Sequence, residues 1–345
     1  RSYIDDGSMQ KLIDQGIKGV TSNPAIFEQA IAGSNDYDSL IISLTGEGMS
    51  ALEIYDALSI QDVGDAADLF RPVYDSTNGL DGYVSLEVSP HLAHDTEGTI
   101  ADARRLWAKL NRPNVMIKIP ATKAGIPAIK QALIEGININ VTLLFSVERY
   151  REVAVAYVEA MAERKKQGLE LKVASVASFF VSRVDGLVDK QLEASDNPES
   201  SDLFGMAAIA NSRIAYGVFE EVFGTDEWKE VEAAGAWKQR LLWASTSTKN
   251  PDYSPVLYVD QLVGPDTVNT MPLNTIDSYL EHGDPADRLS GTVRDAEITL
   301  SKVEACGIDM NAVTQKLEDD GIAKFVEPFD QLIDSIETKR QSIYA

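Results

Sequence analysis

The sequence is poor in residues that build redox, metal or disulfide chemistry, with a single cysteine and three histidines among 345 residues. One cysteine cannot form a disulfide within the chain, and we interpret Cys306, which has no histidine beside it, as structural. His91 and His94 lie three residues apart in a predicted loop, but a metal site needs more ligands at suitable spacing. We therefore predict neither a metal nor a cofactor, and expect a reducing, cytoplasmic location.

Basic residues are also scarce, since 31 Lys and Arg face 54 Asp and Glu for a formal net charge of −23. Such a surface repels phosphate backbones and anionic lipid unless a basic patch is present. The densest basic run, Arg164 to Lys166, ends a predicted helix, where cations favour the helix dipole. No apolar run approaches the roughly 20 residues of a membrane span. We predict no nucleic-acid partner and no membrane partner.

The chain lacks internal repeats, linkers, a GxGxxG motif and a Walker motif. We predict one domain over residues 1–345, in which apolar strands alternate with helices. The predicted strands cover residues 17–21, 83–88, 115–121, 137–145, 172–181, 241–244 and 267–271, and an Asp- and Ser-rich stretch follows the fifth strand at 185–202. Strands that alternate with helices pair in parallel through right-handed crossovers. This pattern predicts an α/β fold of the (β/α)8 TIM barrel type with one strand missing, and additional C-terminal helices. A doubly wound sheet is the alternative, but it would usually carry a glycine-rich phosphate loop.

Polar residues interrupt the apolar strands where a barrel places its chemistry, near the C-terminal ends of the strands. Lys118 shares one strand face with Met116 and Pro120, and burial of an amine favours its neutral, nucleophilic form. Glu87 interrupts the preceding strand, and neighbouring strands lie about 4.8 Å apart. The two side chains are thus predicted to be within reach of each other, as a Schiff-base lysine with its acid–base carboxyl or as a plain buried salt bridge.

Two further groups of polar residues follow later in the chain. Asn138, Asn140 and Thr142 alternate along one face of the next strand, where their polar groups require hydrogen-bond partners such as a substrate or ordered water. Arg183 and Lys249 follow two late strands, where barrels commonly hold a substrate phosphate. Surface salt bridges are the alternative interpretation of these two cations.

With these residues identified, the chain resembles the transaldolase family, in its long bacterial and plant type, over essentially all 345 residues. The resemblance rests on four segments in family order: Thr21-Ser-Asn-Pro-Ala-Ile-Phe27, Lys118-Ile-Pro-Ala-Thr122, Asn140-Val-Thr-Leu-Leu-Phe-Ser146 and Ala177-Ser-Phe-Phe-Val-Ser-Arg-Val-Asp185. It implies a barrel of the class I aldolase type. It also implies transfer of a dihydroxyacetone unit between sugar phosphates in the non-oxidative pentose phosphate pathway, without cofactor or metal. The reaction converts sedoheptulose 7-phosphate and glyceraldehyde 3-phosphate to erythrose 4-phosphate and fructose 6-phosphate.

The resemblance also implies a role for each matching residue. Lys118 would form the Schiff base, with Glu87 and Thr142 holding the water that relays protons. Asn23 and Asn140 would bind the hydroxyls of the dihydroxyacetone unit, and Arg183, Ser247 and Lys249 would hold the phosphate. Thr21, Ser178 and Phe180 would line the substrate site. Many relatives carry arginine where Lys249 stands, so a point charge replaces a bidentate fork there.

One part of the family pattern is absent from these residues. The resemblance places an aspartate, which accepts a proton from the substrate hydroxyl, at the end of a strand before residue 1, and Asp5 and Asp6 do not correspond to it. We interpret the sequence as a fragment of a longer chain. Three alternatives stay open: a Schiff-base aldolase that releases rather than transfers its product, a catalytically impaired truncated homologue, and a non-catalytic acidic interaction protein. The oligomeric state, monomer or homodimer, cannot be read from the sequence.

Overall fold

The computed structural model describes residues 1–344, with side chains through residue 342. Within those residues, seven strands form a sheet whose order follows the chain, β1-β2-β3-β4-β5-β6-β7. The strands are β1 Val20–Thr21, β2 Val84–Glu87, β3 Val115–Pro120, β4 Ile139–Leu144, β5 Ser175–Phe180, β6 Arg240–Ala244 and β7 Thr267–Asn269. The seven predicted strands are confirmed, although all but β6 are shorter than predicted.

Helices occupy most of the connections. They are α1 Ser2–Asp5, α2 Ser8–Asp14, α3 Pro24–Ala32, α4 Asp38–Gly46, α5 Ala51–Ser76, α6 Thr96–Leu110, α7 Gly125–Ile134, α8 Val147–Lys166, α9 Ser182–Glu193, α10 Ala207–Val222, α11 Asp226–Ala233, α12 Leu257–Gln261, α13 Leu273–His282, α14 Val293–Ala305 and α15 Met310–Tyr344. Short 3₁₀ turns lie at Pro90–Leu92 and Ser200–Leu203. The predicted helices after the last strand are α13 to α15.

The strands pair in parallel and are buried along their length. β1–β2, β2–β3, β5–β6 and β6–β7 are parallel pairs, and every residue of β2 to β5 is buried. Strands covered on both faces read as continuous apolar runs, which is the pattern seen in the sequence. A sheet ordered strictly along the chain has no reversal point, so the doubly wound alternative is wrong.

The chain divides into two compact units. The first comprises Arg1–Ile119, Ile137–Asn140 and the residues from Ile322 onward, and the second comprises Pro120–Gly136 and Val141–Gly321. The single domain inferred from the sequence stays a prediction.

Two long helices were not predicted from the sequence. α5 begins with a reciprocal capping box, in which the Ser50 and Glu53 side chains each bond the other's backbone amide. α9 covers the first half of the Asp- and Ser-rich stretch, which the sequence analysis did not interpret as helical. Its polar composition concealed an apolar stripe, because the buried residues Val184, Val188 and Leu192 recur at helical spacing.

The C-terminal helix α15 supplies apolar side chains to the first unit. Phe325, Phe329, Leu332 and Ile336 are all buried, and the Phe329 ring meets Tyr55 of α5 edge-on at 5.3 Å between centroids. Among the described residues, no helix combines the length and apolarity that crossing a bilayer requires.

Candidate active site

The Thr21-Ser-Asn-Pro segment joins β1 directly to α3. Asn23 is the N-cap, and its side chain accepts a hydrogen bond from the Ile26 amide at 2.9 Å, while Pro24 occupies the first helical position. This tight strand-to-helix turn fixes Ser22, whose hydroxyl donates to the Ser85 carbonyl on β2 at 2.8 Å. The segment therefore anchors the backbone at the C-terminal end of β1.

Lys118 lies inside the first unit with its ammonium group among polar and aromatic partners. It is 5% exposed, and its Nζ donates to the Ser22 carbonyl at 3.2 Å. The same Nζ lies 5.3 Å from the centre of the Phe325 ring, which comes from α15. A carbonyl oxygen and an aromatic face thus hold this lysine away from bulk water.

Glu87 lies opposite Lys118 in the β2–β3 ladder, as the strand pattern indicated. Its Oε2 lies 3.2 Å from Lys118 Nζ in an ion pair, and neither carboxylate oxygen meets hydrogen-bond geometry with any group in residues 1–342. Burial raises the pKa of the Glu87 carboxyl, and the nearby Lys118 cation offsets part of that rise. A carboxyl of this kind can hold and release a proton closer to neutral pH than an exposed glutamate.

Asn140 of β4 is linked to β2, the strand that carries Glu87, by a hydrogen bond to Ser85. Its Nδ2 donates to Ser85 Oγ at 3.0 Å, and the two side chains are 2% and 4% exposed. Ser85 precedes Glu87 by two residues, so both side chains project from one face of β2. The structure therefore brings Lys118, Glu87 and Asn140 to one region, with Ser22 and Ser85 as neighbours that the sequence analysis missed.

Replacing Ser85 with alanine should weaken this arrangement without removing any predicted catalytic group. Loss of the acceptor for Asn140 should lower the free energy of unfolding by about 1 kcal/mol. Urea denaturation measures this loss, with Ser76→Ala, which alters an exposed serine of α5, as the control. Equal stability of Ser85→Ala and the control would contradict the contact's contribution.

The second unit contains the other residues predicted for the site. Thr142 on β4 is fully buried, and its hydroxyl has no hydrogen-bond partner among the described residues. The next residue, Leu143, adopts left-handed backbone geometry with φ of 58°. A buried unsatisfied hydroxyl beside such a strained residue is typical of a functional position.

Ser178, Phe180 and Arg183 follow one another from β5 into α9. Ser178 and Phe180 are buried on one face of β5, and the Arg183 guanidinium lies 5.1 Å from the centre of the Phe180 ring. Arg183 Nη1 is buried without a hydrogen-bond partner among the side chains described, and burial lowers the pKa of its guanidinium. An arginine held this way retains its charge and donors for an anion. The salt-bridge interpretation finds no support for Arg183.

Ser247 and Lys249 lie after β6, Ser247 half-buried and Lys249 exposed. Ser245 begins the segment with a left-handed φ of 55°, and its hydroxyl lies 2.9 Å from that of Ser182, the residue before Arg183. Thr246 bonds Asn269 of β7 at 2.7 Å. The start of this segment is therefore fixed on both sides within the second unit.

Cavities in the two units differ in their relation to these residues. In the first unit, a cavity of about 460 Å³ is lined by Glu87 together with Tyr55 and Phe329. In the second, a cavity of about 540 Å³ surrounds Arg213 and contains none of the predicted site residues. Only the first cavity touches the chemistry described above.

Comparison with known proteins identifies the family. The model of the Transaldolase/Fructose-6-phosphate aldolase family matches residues 3–336. A protein named "Transaldolase" from Trichodesmium erythraeum is 46% identical over 98% of this chain and 92% of its own length. "Transaldolase 1" from Streptomyces avermitilis is 47% identical over 98% of this chain and 90% of its own. This chain belongs to the transaldolase family.

Membership in the transaldolase family confirms two predictions. The α/β fold is of the (β/α)8 barrel type, with seven of its strands within residues 1–344. The protein is an enzyme of a transferase family whose substrates are sugar phosphates. The role of each individual site residue stays a prediction.

Proposed function

We propose that this protein is a transaldolase that forms a Schiff base through Lys118. The observation that supports this most strongly is the buried pair of Lys118 and Glu87, whose charged atoms lie 3.2 Å apart. A buried salt bridge alone is weak as a stabilising device. Both side chains are shielded from water, and the pKa of the Glu87 carboxyl is raised by burial. A buried amine beside a carboxyl that can exchange protons is suited to attack on a carbonyl carbon.

The reaction then proceeds in balanced steps. Lys118 first passes its proton to Glu87, 3.2 Å away, and the neutral amine attacks the ketose carbonyl to give a carbinolamine. Glu87 then returns that proton to the carbinolamine hydroxyl, which leaves as water. The resulting Schiff base draws electrons from the adjacent carbon–carbon bond. The hydroxyl on the departing carbon gives its proton to the Glu87 carboxylate that dehydration leaves ionised, so the aldose phosphate departs and a dihydroxyacetone enamine stays on Lys118. Attack of this enamine on a second aldose phosphate reverses the steps. No metal or cofactor enters this mechanism.

We assign the remaining residues by their chemistry. Asn140 and Asn23 present side-chain amide groups for substrate hydroxyls. The side-chain oxygen of Asn23 already accepts the helix-capping bond from the Ile26 amide, so its NH2 group is the part left for a substrate. Thr142 offers a buried hydroxyl to the water that carries protons. Arg183, Ser247 and Lys249 bind the phosphate, and Thr21, Ser178 and Phe180 line the substrate site. A local cation of this kind is what allows a chain of net charge −23 to bind an anion.

Aldol cleavage without transfer is the second candidate function. The matching family description includes fructose-6-phosphate aldolase. The relatives at 46% and 47% identity are named transaldolases, which favours transfer. Consumption of fructose 6-phosphate with and without erythrose 4-phosphate separates the two, because only an aldolase turns over without an acceptor.

Borohydride trapping tests the shared chemistry. Incubation with fructose 6-phosphate followed by reduction should leave a secondary amine on Lys118, carrying either the whole ketose or its three-carbon portion. Peptide mapping locates the added mass, and Lys118→Ala should show none. Lys123→Met, which removes an exposed lysine five residues away, is the matched control and should keep the adduct. A folded protein without an adduct on Lys118 would contradict the proposal.

A further inference from the structure

Two aspartates on α9 bind the same two elements of the second unit. Asp185 accepts a hydrogen bond from the Ala208 amide at 2.7 Å and from the Tyr258 hydroxyl at 2.8 Å. Asp189, one turn later, accepts from the Gly205 amide at 3.1 Å and from the Tyr253 hydroxyl at 2.8 Å. Each carboxylate therefore joins the start of α10, or the residue just before its N-cap, to the segment that follows β6, which we call the post-β6 segment (residues 245–262).

The post-β6 segment carries the predicted phosphate ligands Ser247 and Lys249 between two anchor points. Its first anchor is Ser245, whose carbonyl accepts from the Ser182 amide at 3.0 Å. Its second anchor is the pair of tyrosines, Tyr253 and Tyr258. Both anchors are bound by residues of α9, the helix whose second residue is Arg183. The geometry of the proposed phosphate site thus depends on how this segment is held on one helix.

The carboxylates are an unusual choice for a purely structural contact. Neither forms an ion pair with a lysine or arginine in the part of the chain that the structure describes, and Asp185 is 1% exposed. Burial, with a smaller repulsion from Asp189, raises the pKa of Asp185 to about 7, although the Ala208 amide and the Tyr258 hydroxyl oppose the rise. Hydrogen bonds to an ionised oxygen are stronger and shorter than neutral ones. The two buried carboxylates therefore fix the position of the post-β6 segment, while the cost of burying charge lowers the stability of the folded protein.

Neither aspartate forms an ion pair with Arg183, so the positive charge of its guanidinium is not neutralised by α9. Asp185 lies two residues from Arg183 on α9 but directs both oxygens to Ala208 and Tyr258. Burial alone, without a carboxylate contribution, accounts for the lowered pKa of the Arg183 guanidinium. The positive charge therefore stays available to a ligand.

We propose that Asp185 and Asp189 are positioning residues, which hold Ser247 and Lys249 beside Arg183 through Tyr258 and Tyr253 and so set affinity for the substrate phosphate. This inference rests on the proposed function, because it concerns the phosphate site assigned there. Phosphate recognition should weaken when the tyrosine hydroxyls are removed, while reaction at the ketose carbonyl should not.

The test compares a phosphorylated with an unphosphorylated ketose. Borohydride trapping at Lys118 is measured against the concentration of fructose 6-phosphate and of fructose, which gives a half-saturating concentration for each. In Tyr253→Phe and Tyr258→Phe, the value for fructose 6-phosphate should rise about 10-fold, as expected for loss of one bond to a charged acceptor. The value for fructose should stay within about twofold of the unaltered protein. A merely structural role would not change the ratio of the two values.

Tyr157→Phe is the matched control for these variants. The Tyr157 hydroxyl is also buried in the second unit and bonds the Val173 and Trp237 carbonyls at 3.0 and 2.6 Å, before β5 and β6 begin. Its loss should lower the melting temperature and leave the ratio unchanged. If the ratio of the two half-saturating concentrations changed as much in Tyr157→Phe as in Tyr253→Phe and Tyr258→Phe, the inference would be overturned.

Arg183→Ala separates failure of this inference from failure of the proposed phosphate site. A raised half-saturating concentration for fructose 6-phosphate in Arg183→Ala, with unchanged ratios in both Tyr→Phe variants, would overturn the positioning role and leave the phosphate site intact. Unchanged values in Arg183→Ala would overturn the phosphate site and the positioning role together. Equal shifts for both ketoses in the Tyr→Phe variants would also reject the positioning role.

Discussion

Lys118→Met should lose turnover by roughly 10⁴-fold or more, the scale seen when a covalent nucleophile is removed. Methionine fills a similar volume but has no amine, so neither the carbinolamine nor the Schiff base can form. An acceptor-dependent assay with fructose 6-phosphate and erythrose 4-phosphate measures the loss. Lys123→Met should retain activity, because that side chain is exposed and outside the site. Residual turnover of Lys118→Met above about one per cent would reject Lys118 as the nucleophile.

The same substitution should change stability in a pH-dependent way. It removes the only ion-pair partner that Glu87 has among the described residues. The pKa of Glu87 is already raised by burial and should rise further, so the folded protein binds the proton more tightly than the unfolded chain. Stability of Lys118→Met should therefore fall more steeply than that of the unaltered protein as pH rises from 5 to 8. Adding Glu87→Gln should abolish this extra dependence, and denaturant curves at several pH values measure it.

The sequence predicts the Lys118–Glu87 contact because period-two alternation and parallel register are local rules. Once two adjacent parallel strands are identified, residues at equivalent positions along them, here Glu87 and Lys118, are expected to lie side by side. The strands themselves were detectable because each is apolar throughout, as burial on both faces requires. These features depend on a few neighbouring residues only.

Other parts of the site depend on contacts between distant segments. Ser22 presents a backbone carbonyl to Lys118, which its side-chain chemistry does not indicate. Phe325 reaches the same ammonium from a helix more than 200 residues later in the chain. Asp185 and Asp189 belong to a stretch rich in polar residues, in which helical spacing of apolar residues was obscured. Burial of such residues follows from tertiary packing, which overrides local composition.

Asp185→Asn should make the protein more stable at neutral and alkaline pH. Because the pKa of Asp185 is raised to about 7, the folded protein holds a proton that the unfolded chain releases near an ordinary carboxyl pKa. Stability therefore falls as pH rises toward 7, at roughly 1.4 kcal/mol per pH unit. Asparagine has no proton to lose, and its amide can still accept from Ala208 and donate to the Tyr258 oxygen. Its stability should lack this slope.

Denaturant unfolding at pH 5, 6, 7 and 8 measures the difference between the variant and the unaltered protein. The difference should grow by roughly 3 kcal/mol from pH 5 to pH 7 and then level off. Glu87 is present in both proteins, so its own titration cancels in the comparison. Asp202→Asn, which neutralises an exposed aspartate on the following 3₁₀ turn, is the matched control and should show no such growth. A pH-independent difference would show that Asp185 is not held at a raised pKa. If the slope is found, the ionised aspartate destabilises the fold at neutral pH, as a residue retained for placing the post-β6 segment would.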